Sequence, residues 1–492
     1  MFKIAIAPEY IKHSRNSFRE ELLKLIQQIW QGGQIPIDWT ENIIVPIHKK
    51  GNTLDCNNYR AICLTSVGLK LYTRILEQKL RKYTEKTMQE EQAAFRAQRQ
   101  TQDHICTLRT IINKTLSTNR ELYIAFMDIS AAFHDINRTD IWQILKTRKI
   151  PEQLQLAIEN VYKNVLGRVR LNGAESETFD WVKGLKQGDS LSPLLFNLVM
   201  DQVTKDCNNK LRSKKTKIGY WNLQPIYVQA LTYADDVVLI ADSKEKLQEI
   251  VTTWVENLKL RNLDINANKS KVLYITKKKE EETGNPKITV GTDELEAVNQ
   301  FKYLGTMFSR NGKIGTEIKN RISQATRTYY QLNKTVINKK ELGVKTKMQI
   351  YQTVYLPTLL YGCVTWDRTT KTDSQVTAAE MKYLRPVLNK TRKDRERNVK
   401  IRETLKVRPV TQLIEEKQLK WFGHVKRMGK DRIVRKSVEA REWEKRSRGR
   451  PRITWLDNIK EYGRKRGKTL PELEKITKDR KAWKELSEEA RH

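Results

Sequence analysis

Two apolar, β-branched runs separated by a pair of acids constrain this chain more than any other feature: Val228-Gln-Ala-Leu-Thr-Tyr-Ala-Asp-Asp-Val-Val-Leu-Ile-Ala241. Each run reads as a short buried strand, and together they predict a hairpin with Asp235 and Asp236 at its tip. Two like charges held at the junction of buried strands are costly unless a cation neutralises them. Oxygen-only ligands favour a hard ion, and magnesium fits that description.

A third acid gives the pair chemical meaning. Tyr123-Ile-Ala-Phe-Met-Asp128 predicts another short buried strand, and this one stops at an acid. A lone Asp at a strand end is ordinarily a turn or helix cap. Beside Asp235 and Asp236 it becomes a candidate ligand, because two-metal catalysis needs carboxylates from at least two elements around ions ~3.5–4 Å apart.

The surrounding pattern supplies a frame for these acids. Helical spacing is predicted over 17–31, 66–84, 101–117, 137–148, 194–203 and 243–260, and strands over 42–47 and 271–276. Residues 168–173 and 177–182 predict a hairpin around Gly173. Alternation across 121–276 predicts a small α+β sheet backed by helices, and beyond about 315 the patterns are almost all helical.

Charge narrows the partners. Lys and Arg number 93 against 58 acidic residues in 492, a formal net charge of +35. Spread through the chain, that excess favours a polyanionic partner, since each neutralised phosphate releases counterions. No apolar run approaches the ~18–20 residues of a membrane helix, so no membrane partner is expected. Five scattered cysteines, none spaced as Cys-x-x-Cys, predict reduced thiols in an intracellular protein, in nucleus and/or cytoplasm. From 390 onward the chain is very basic, and Trp421, Phe422, Trp443 and Trp455 are interleaved there. Those aromatics suit base stacking, or simply helix packing. His424, with no Cys nearby, reads as a structural donor and not a metal ligand.

Several blocks, in order, carry a resemblance. They are Trp39-Thr-Glu-Asn-Ile-Ile-Val-Pro-Ile-His-Lys-Lys-Gly51 with Asn58-Tyr-Arg-Ala-Ile-Cys-Leu64, then Glu90-Glu-Gln-Ala-Ala-Phe-Arg96, then Phe126-Met-Asp-Ile-Ser-Ala-Ala-Phe133. Gly184-Leu-Lys-Gln-Gly-Asp-Ser-Leu-Ser-Pro-Leu-Leu-Phe-Asn197, Tyr233-Ala-Asp-Asp236, Leu263-Asp-Ile-Asn-Ala-Asn-Lys269 and Phe301-Lys-Tyr-Leu-Gly305 follow. The series resembles the reverse transcriptases of non-LTR (LINE-like) retrotransposons, and similarity continues through Tyr361–Trp366, Trp421–Arg427 and Gly449–Pro451.

The resemblance implies an α+β right-hand polymerase: fingers (1–120), a ferredoxin-like palm (121–315), a helical thumb (316–395) and a basic, mainly helical nucleic-acid-binding region (396–492). It implies two Mg2+ ions, with Mn2+ as a substitute, on Asp128, Asp235 and Asp236. It implies an RNA template, a DNA primer or target and dNTPs, with oligomeric state left open. Phe133 matches the steric gate that excludes a 2′-hydroxyl. Gln187 and Gly188 would approach the incoming base and template. Arg60 with Lys49 or Lys50 would hold the triphosphate, although a basic turn is also simply solvated. Lys269 would protonate the leaving pyrophosphate or stand as a surface lysine.

Three positions depart from the family pattern: His134 where an Asp is usual, Ala94 where Gly is usual, and Ala61 where Pro is common. None removes a metal ligand, but Ala for Gly matters if that position needs a positive φ. Many relatives begin with an endonuclease. This chain starts without one, as the back half of a polyprotein would, and the alternative expectation is an inactive remnant that only binds nucleic acid.

Overall fold

The computed structural model describes residues 7–49, 51–130, 132–211, 216–218, 226–278, 284–440 and 452–488. Lys50, Trp443 and the 448–451 motif lie outside them.

The chain opens with helices α1 (Pro8–His13), α2 (Asn16–Trp30) and α3 (Ile37–Thr40), then strands β1 (Glu41–His48) and β2 (Tyr59–Leu64). Helices α4 (Val67–Thr84) and α5 (Thr101–Ser117) lead to β3 (Leu122–Asp128), then α6 (Ala132–Asp135), α7 (Arg138–Thr147) and α8 (Glu152–Val161). Next come β4 (Leu166–Leu171), β5 (Ala174–Glu175), β6 (Phe179–Asp180), α9 (Ser192–Lys210), β7 (Thr216–Ile218) and β8 (Ile226–Val228). The predicted hairpin is β9 (Ala230–Tyr233) and β10 (Asp236–Ala241), followed by α10 (Lys244–Lys259) and β11 (Lys271–Ile275). Small strands β12 (Thr289–Val290), β13 (Asp293–Glu294), β14 (Glu296–Ala297), β15 (Gln300–Tyr303) and β16 (Thr306–Ser309) close the mixed part.

The remainder is helical: α11 (Gly315–Leu332), α12 (Val344–Ile350), α13 (Leu356–Leu360), α14 (Thr370–Val387), α15 (Asn398–Leu405), α16 (Val410–Arg427), α17 (Ile433–Glu439), α18 (Trp455–Lys465), α19 (Leu470–Ile476) and α20 (Arg480–Glu488).

The central sheet has the order β14-β11-β3-β10-β9. Its strands read as unbroken apolar runs because both faces are covered. Ala125, Met127, Val237 and Leu239 pack with α4 and α7–α10, whereas Ile124, Phe126, Val238 and Ile240 pack with α5 and the β15–β16 hairpin. Side-chain caps mark where the backing helices begin. Ser66, Asn137 and Ser243 accept the first free amides of α4, α7 and α10, which is why those expected starts agree with the structure.

A second sheet, β2-β1-β4-β5 with β6 on β4, stands beside the first. The expected return leg over 177–182 is instead split into β5 and β6, both against β4. Helix α8 went unread in the sequence, and α9 runs seven residues past the expected end at 203.

Two more cores are wholly helical in the far half. One joins α11–α16, and the other joins α16–α20 with Cys106 of α5. Trp421, Phe422 and Trp455 belong to the latter, so helix packing explains these three rings. All five cysteines are unpaired. Among the described residues no helix is long and apolar enough to cross a membrane.

Candidate active site

Strand pairing brings the first two acids together. Asp236 stands opposite Asp128 in the antiparallel register of β10 and β3. Asp235 occupies the two-residue turn between β9 and β10, where Ala234 takes a left-handed φ of 56°. An alanine in that region costs about 1–2 kcal/mol. The Ala234 amide is held by the Gln92 Oε1 at 3.3 Å, which helps fix the turn.

The electrostatics follow from this crowding. Burial, then the charges of Asp235 and Asp128, push the Asp236 carboxyl up to about 6. A site that raises a carboxylate in this way gains by taking up a cation. All three donors are carboxylate oxygens, the chemistry a hard divalent ion prefers. Among the described residues no group of three acid, His or Cys side chains is arranged so that it could hold a metal ion.

Lys269 joins them. Its Nζ lies 3.8 Å from Asp128 Oδ2, with both side chains open to solvent, so the pair adds little stability. The loop bearing Lys269 is anchored on the same strand end. The Asn266 amide donates to the Asp128 carbonyl at 2.8 Å, and the Ser270 hydroxyl accepts the Asp128 amide at 3.0 Å.

Phe133 follows on α6, half-buried and stacked on Phe196 with centroids 4.5 Å apart. Its carbonyl accepts the Leu185 amide at 2.7 Å, which links α6 to the loop containing Gln187 and Gly188. Gly188 has a φ of 120°, and a Cβ there would lie 2.7 Å from the Cys63 carbonyl. The close backbone approach expected of this glycine is thus made to β2, a protein strand, as the Gln187 carbonyl accepts the Cys63 amide.

Arg60 and Lys49 sit at the loop end of the β1–β2 hairpin, both exposed. Neither makes a hydrogen bond with the three acids. Lys49 nevertheless faces α6: burial, with a smaller opposing contribution from Asp135, and the Lys49 charge together hold the His134 imidazole below its usual range. Asp135, one place later, pairs with Lys183 at 2.9 Å. The left-handed residue in the 90–96 block is Phe95 (φ 55°), not Ala94, so Ala in place of Gly at 94 imposes no such strain.

Sequence reasoning missed the layer behind the site. His104 Nδ1 lies 3.1 Å from the Tyr303 hydroxyl, and its ring packs edge-on to Tyr233 at 6.0 Å. Lys186 is fully buried, with Nζ donating to the Val161 carbonyl at 3.2 Å. Burial lowers its pKa to about 8. Its surroundings in the sequence, Lys183-Gly-Leu-Lys-Gln-Gly-Asp-Ser190, carry no signal of that burial. In the basic end, Arg464, Lys465 and Arg466 each pair with a glutamate. His424 lies beside Trp421, and its buried Nε2 has no hydrogen-bond partner among the described residues.

A mixed sheet backed by helices, with acids at the facing ends of β3 and β10 and at the turn between β9 and β10, defines a polymerase palm. Residues 47–308 match the family model described as reverse transcriptase (RNA-dependent DNA polymerase), and the chain belongs to that family. It is 29% identical over 313 residues to a Pol polyprotein from the type-1 retrotransposable element R2 of Nasonia vitripennis, covering 62% of this chain and 29% of that one. It is 26% identical over 358 residues to the RNA-directed DNA polymerase from mobile element jockey of Drosophila melanogaster, covering 69% and 37%. A solved apo telomerase from Candida tropicalis superposes over 86% of this chain and 68% of its own, at 13% identity and a TM-score of 0.43. The chain spans 18–45% of the length of the first three curated relatives it matches.

Proposed function

We propose that this chain is the reverse transcriptase of a non-LTR retrotransposon, transferring nucleotides from dNTPs to a primer 3′-hydroxyl on an RNA template. The observation that carries the reading is the Asp128–Asp236 register pair with Asp235 at the adjoining hairpin tip. Asp128, Asp235 and Asp236 would hold two Mg2+ ions, or Mn2+ in their place. Bound there, such ions lower the pKa of a hydroxyl nucleophile and neutralise charge on a transferred phosphoryl group.

The remaining roles belong to the chain's own side chains. Lys269 would protonate the leaving pyrophosphate, a role supported by its Nζ lying 3.8 Å from Asp128 Oδ2. Phe133, braced by Phe196, would lie under the sugar and exclude a 2′-hydroxyl. Gln187 and Gly188 would form the wall beside the incoming base, while Arg60 and Lys49 or Lys50 would neutralise the triphosphate. The reading divides the chain into a fingers region over 1–120, a palm over 121–315, a thumb over 316–395 and a basic region over 396–492, although the apolar cores run across these bounds, one joining Ile29 to Leu295 and another Ile314 to Ile414. A DNA primer or target, an RNA template and an intracellular setting, nuclear and/or cytoplasmic, complete the reading. Incorporation of labelled dNTP on a primed RNA template tests it, with heteropolymeric templates showing whether addition follows the template sequence.

A further inference from the structure

Phe95 combines two features that are unfavourable singly. Its backbone is left-handed, with φ of 55°, in a bend where glycine would be unstrained. The residue is 48% exposed although its neighbour Ala94 is wholly buried. The conformation is also held from several sides. The Arg81 guanidinium donates to the Phe95 carbonyl at 3.0 Å, and the Asn197 amide group donates to the Ala94 carbonyl at 2.6 Å. The Ala94 amide bonds Gln92 Oε1 at 3.1 Å, and buried Arg96 donates to the carbonyls of Gln89 and Gln92 at 2.7 and 2.9 Å. Strain that the surroundings over-determine in this way points to a use for the side chain.

The strand register says where the ring emerges. Gln92 bridges Thr232 in a parallel sense. The Thr232 amide donates to the Glu91 carbonyl at 2.8 Å, and the Ala93 amide donates to the Thr232 carbonyl at 3.0 Å. Residues 91–93 therefore run alongside β9 toward the hairpin tip, one strand spacing (~4.8 Å) outside it. Phe95 is three residues beyond Gln92, as Asp235 is three beyond Thr232, so the two leave the sheet at the same end. In the sheet order, Asp128 lies on one side of the hairpin and Phe95 on the other.

Resting on the polymerase reading, we infer that Phe95 is a stacking platform for the template strand beside the primer terminus. The primer end must reach the acids on β3 and at the tip. The strand passing over Phe95, beyond β9, is then the complementary one. A phenyl face recognises a nucleobase or sugar without sequence preference, which suits a template of any sequence.

The test uses the whole chain and an RNA template carrying 2-aminopurine opposite the primer terminus, with binding read by fluorescence before dNTP is added. Phe95→Gly removes the ring and relieves the backbone, so its melting temperature should equal or exceed that of the parent. It should lose the stacking quench and bind primer–template about tenfold more weakly. Phe95→Tyr should retain both. Parental quench and affinity in Phe95→Gly would overturn the inference, as would a Phe95→Tyr variant no better than Phe95→Gly. A parent chain that shows the Phe95-dependent quench yet adds no nucleotide would support the platform while overturning the polymerase reading, so the two failures are distinct.

Discussion

The carbonyl of Gln187 accepts the Cys63 amide at 2.7 Å, tying the loop before α9 to strand β2 of the neighbouring sheet. Gly188 completes the joint, because a Cβ there would meet the Cys63 carbonyl at 2.7 Å and its φ is 120°. Gly188→Ala should cost about 1–3 kcal/mol of stability. It should raise KM for dNTP more than it lowers kcat, since the loop forms a wall and not the reacting groups. Melting curves and steady-state kinetics check both, and an unchanged KM contradicts the placement.

Phe133 is braced by Phe196 with the rings 13° from parallel, which limits how far its ring can yield. Phe133→Ala is expected to raise ribonucleotide incorporation at least tenfold relative to dNTP, given the roughly 1–3 kcal/mol that steric and packing discrimination usually supplies. Competing dNTP and rNTP in single-turnover extension measures the ratio. An unchanged ratio removes Phe133 from the gate.

The His104–Tyr303 layer makes stability depend on pH. Burial lowers the His104 pKa to about 3 from an ordinary 6.5. The unfolded chain therefore takes a proton that the folded one refuses. This contribution is complete above 6.5 and is lost as pH falls toward 3. Asp103 acts in the opposite sense: burial raises it to about 6, so its contribution is full below 3.8 and is lost as pH rises through 6. Between pH 7 and 6 the histidine's own contribution falls by about 0.7 kcal/mol. Asp103 and Asp236, both raised to about 6, return part of it, so the effect is read as the difference between the parent and a His104 variant. Urea unfolding of His104→Gln at both pH values should show that loss abolished.

Arg432 fastens the last helical core to α5. It pairs with Asp103 at 2.6 Å and Glu90 at 3.2 Å and donates to the Gln98 carbonyl at 3.2 Å, with little of its side chain exposed. Arg432→Met leaves the Asp103 carboxylate buried without its cation, a loss of about 3 kcal/mol. Adding Asp103→Asn should restore part of that. Thermal melts of the single and double variants decide it, and simple additivity would contradict the pairing.

Much of the frame was legible because its physics is local. Val237–Ala241 and Tyr123–Met127 are unbroken apolar runs since their alternate side chains enter two different cores. Ser66, Asn137 and Ser243 marked helix starts by the chemistry of capping. Helix α8 was missed although Pro151 stands at its N-cap, as its Glu-Gln-Leu-Gln-Leu opening alternates like a strand. The acids were legible from the hairpin and strand-end pattern and Lys269 only from motif resemblance, and the structure sets Lys269 beside Asp128 from 141 positions away. Phe95 was illegible as a special residue, because nothing in a phenylalanine announces a positive φ. Its conformation comes from Arg81, Asn197 and Gln92, far apart in the chain. For Trp421 and Trp455 the sequence left both base stacking and helix packing open, and they fill a core.

The central claim is that Asp128, Asp235 and Asp236 form the metal-binding centre of an RNA-directed DNA polymerase. Extension of a DNA primer annealed to RNA, with and without Mg2+, beside an Asp235→Ala chain of matched melting temperature, tests it most directly. The account predicts template-dependent addition that needs Mg2+ and falls at least a thousandfold in Asp235→Ala, about 4 kcal/mol of transition-state stabilisation. Equal incorporation by the parent and Asp235→Ala chains would contradict it.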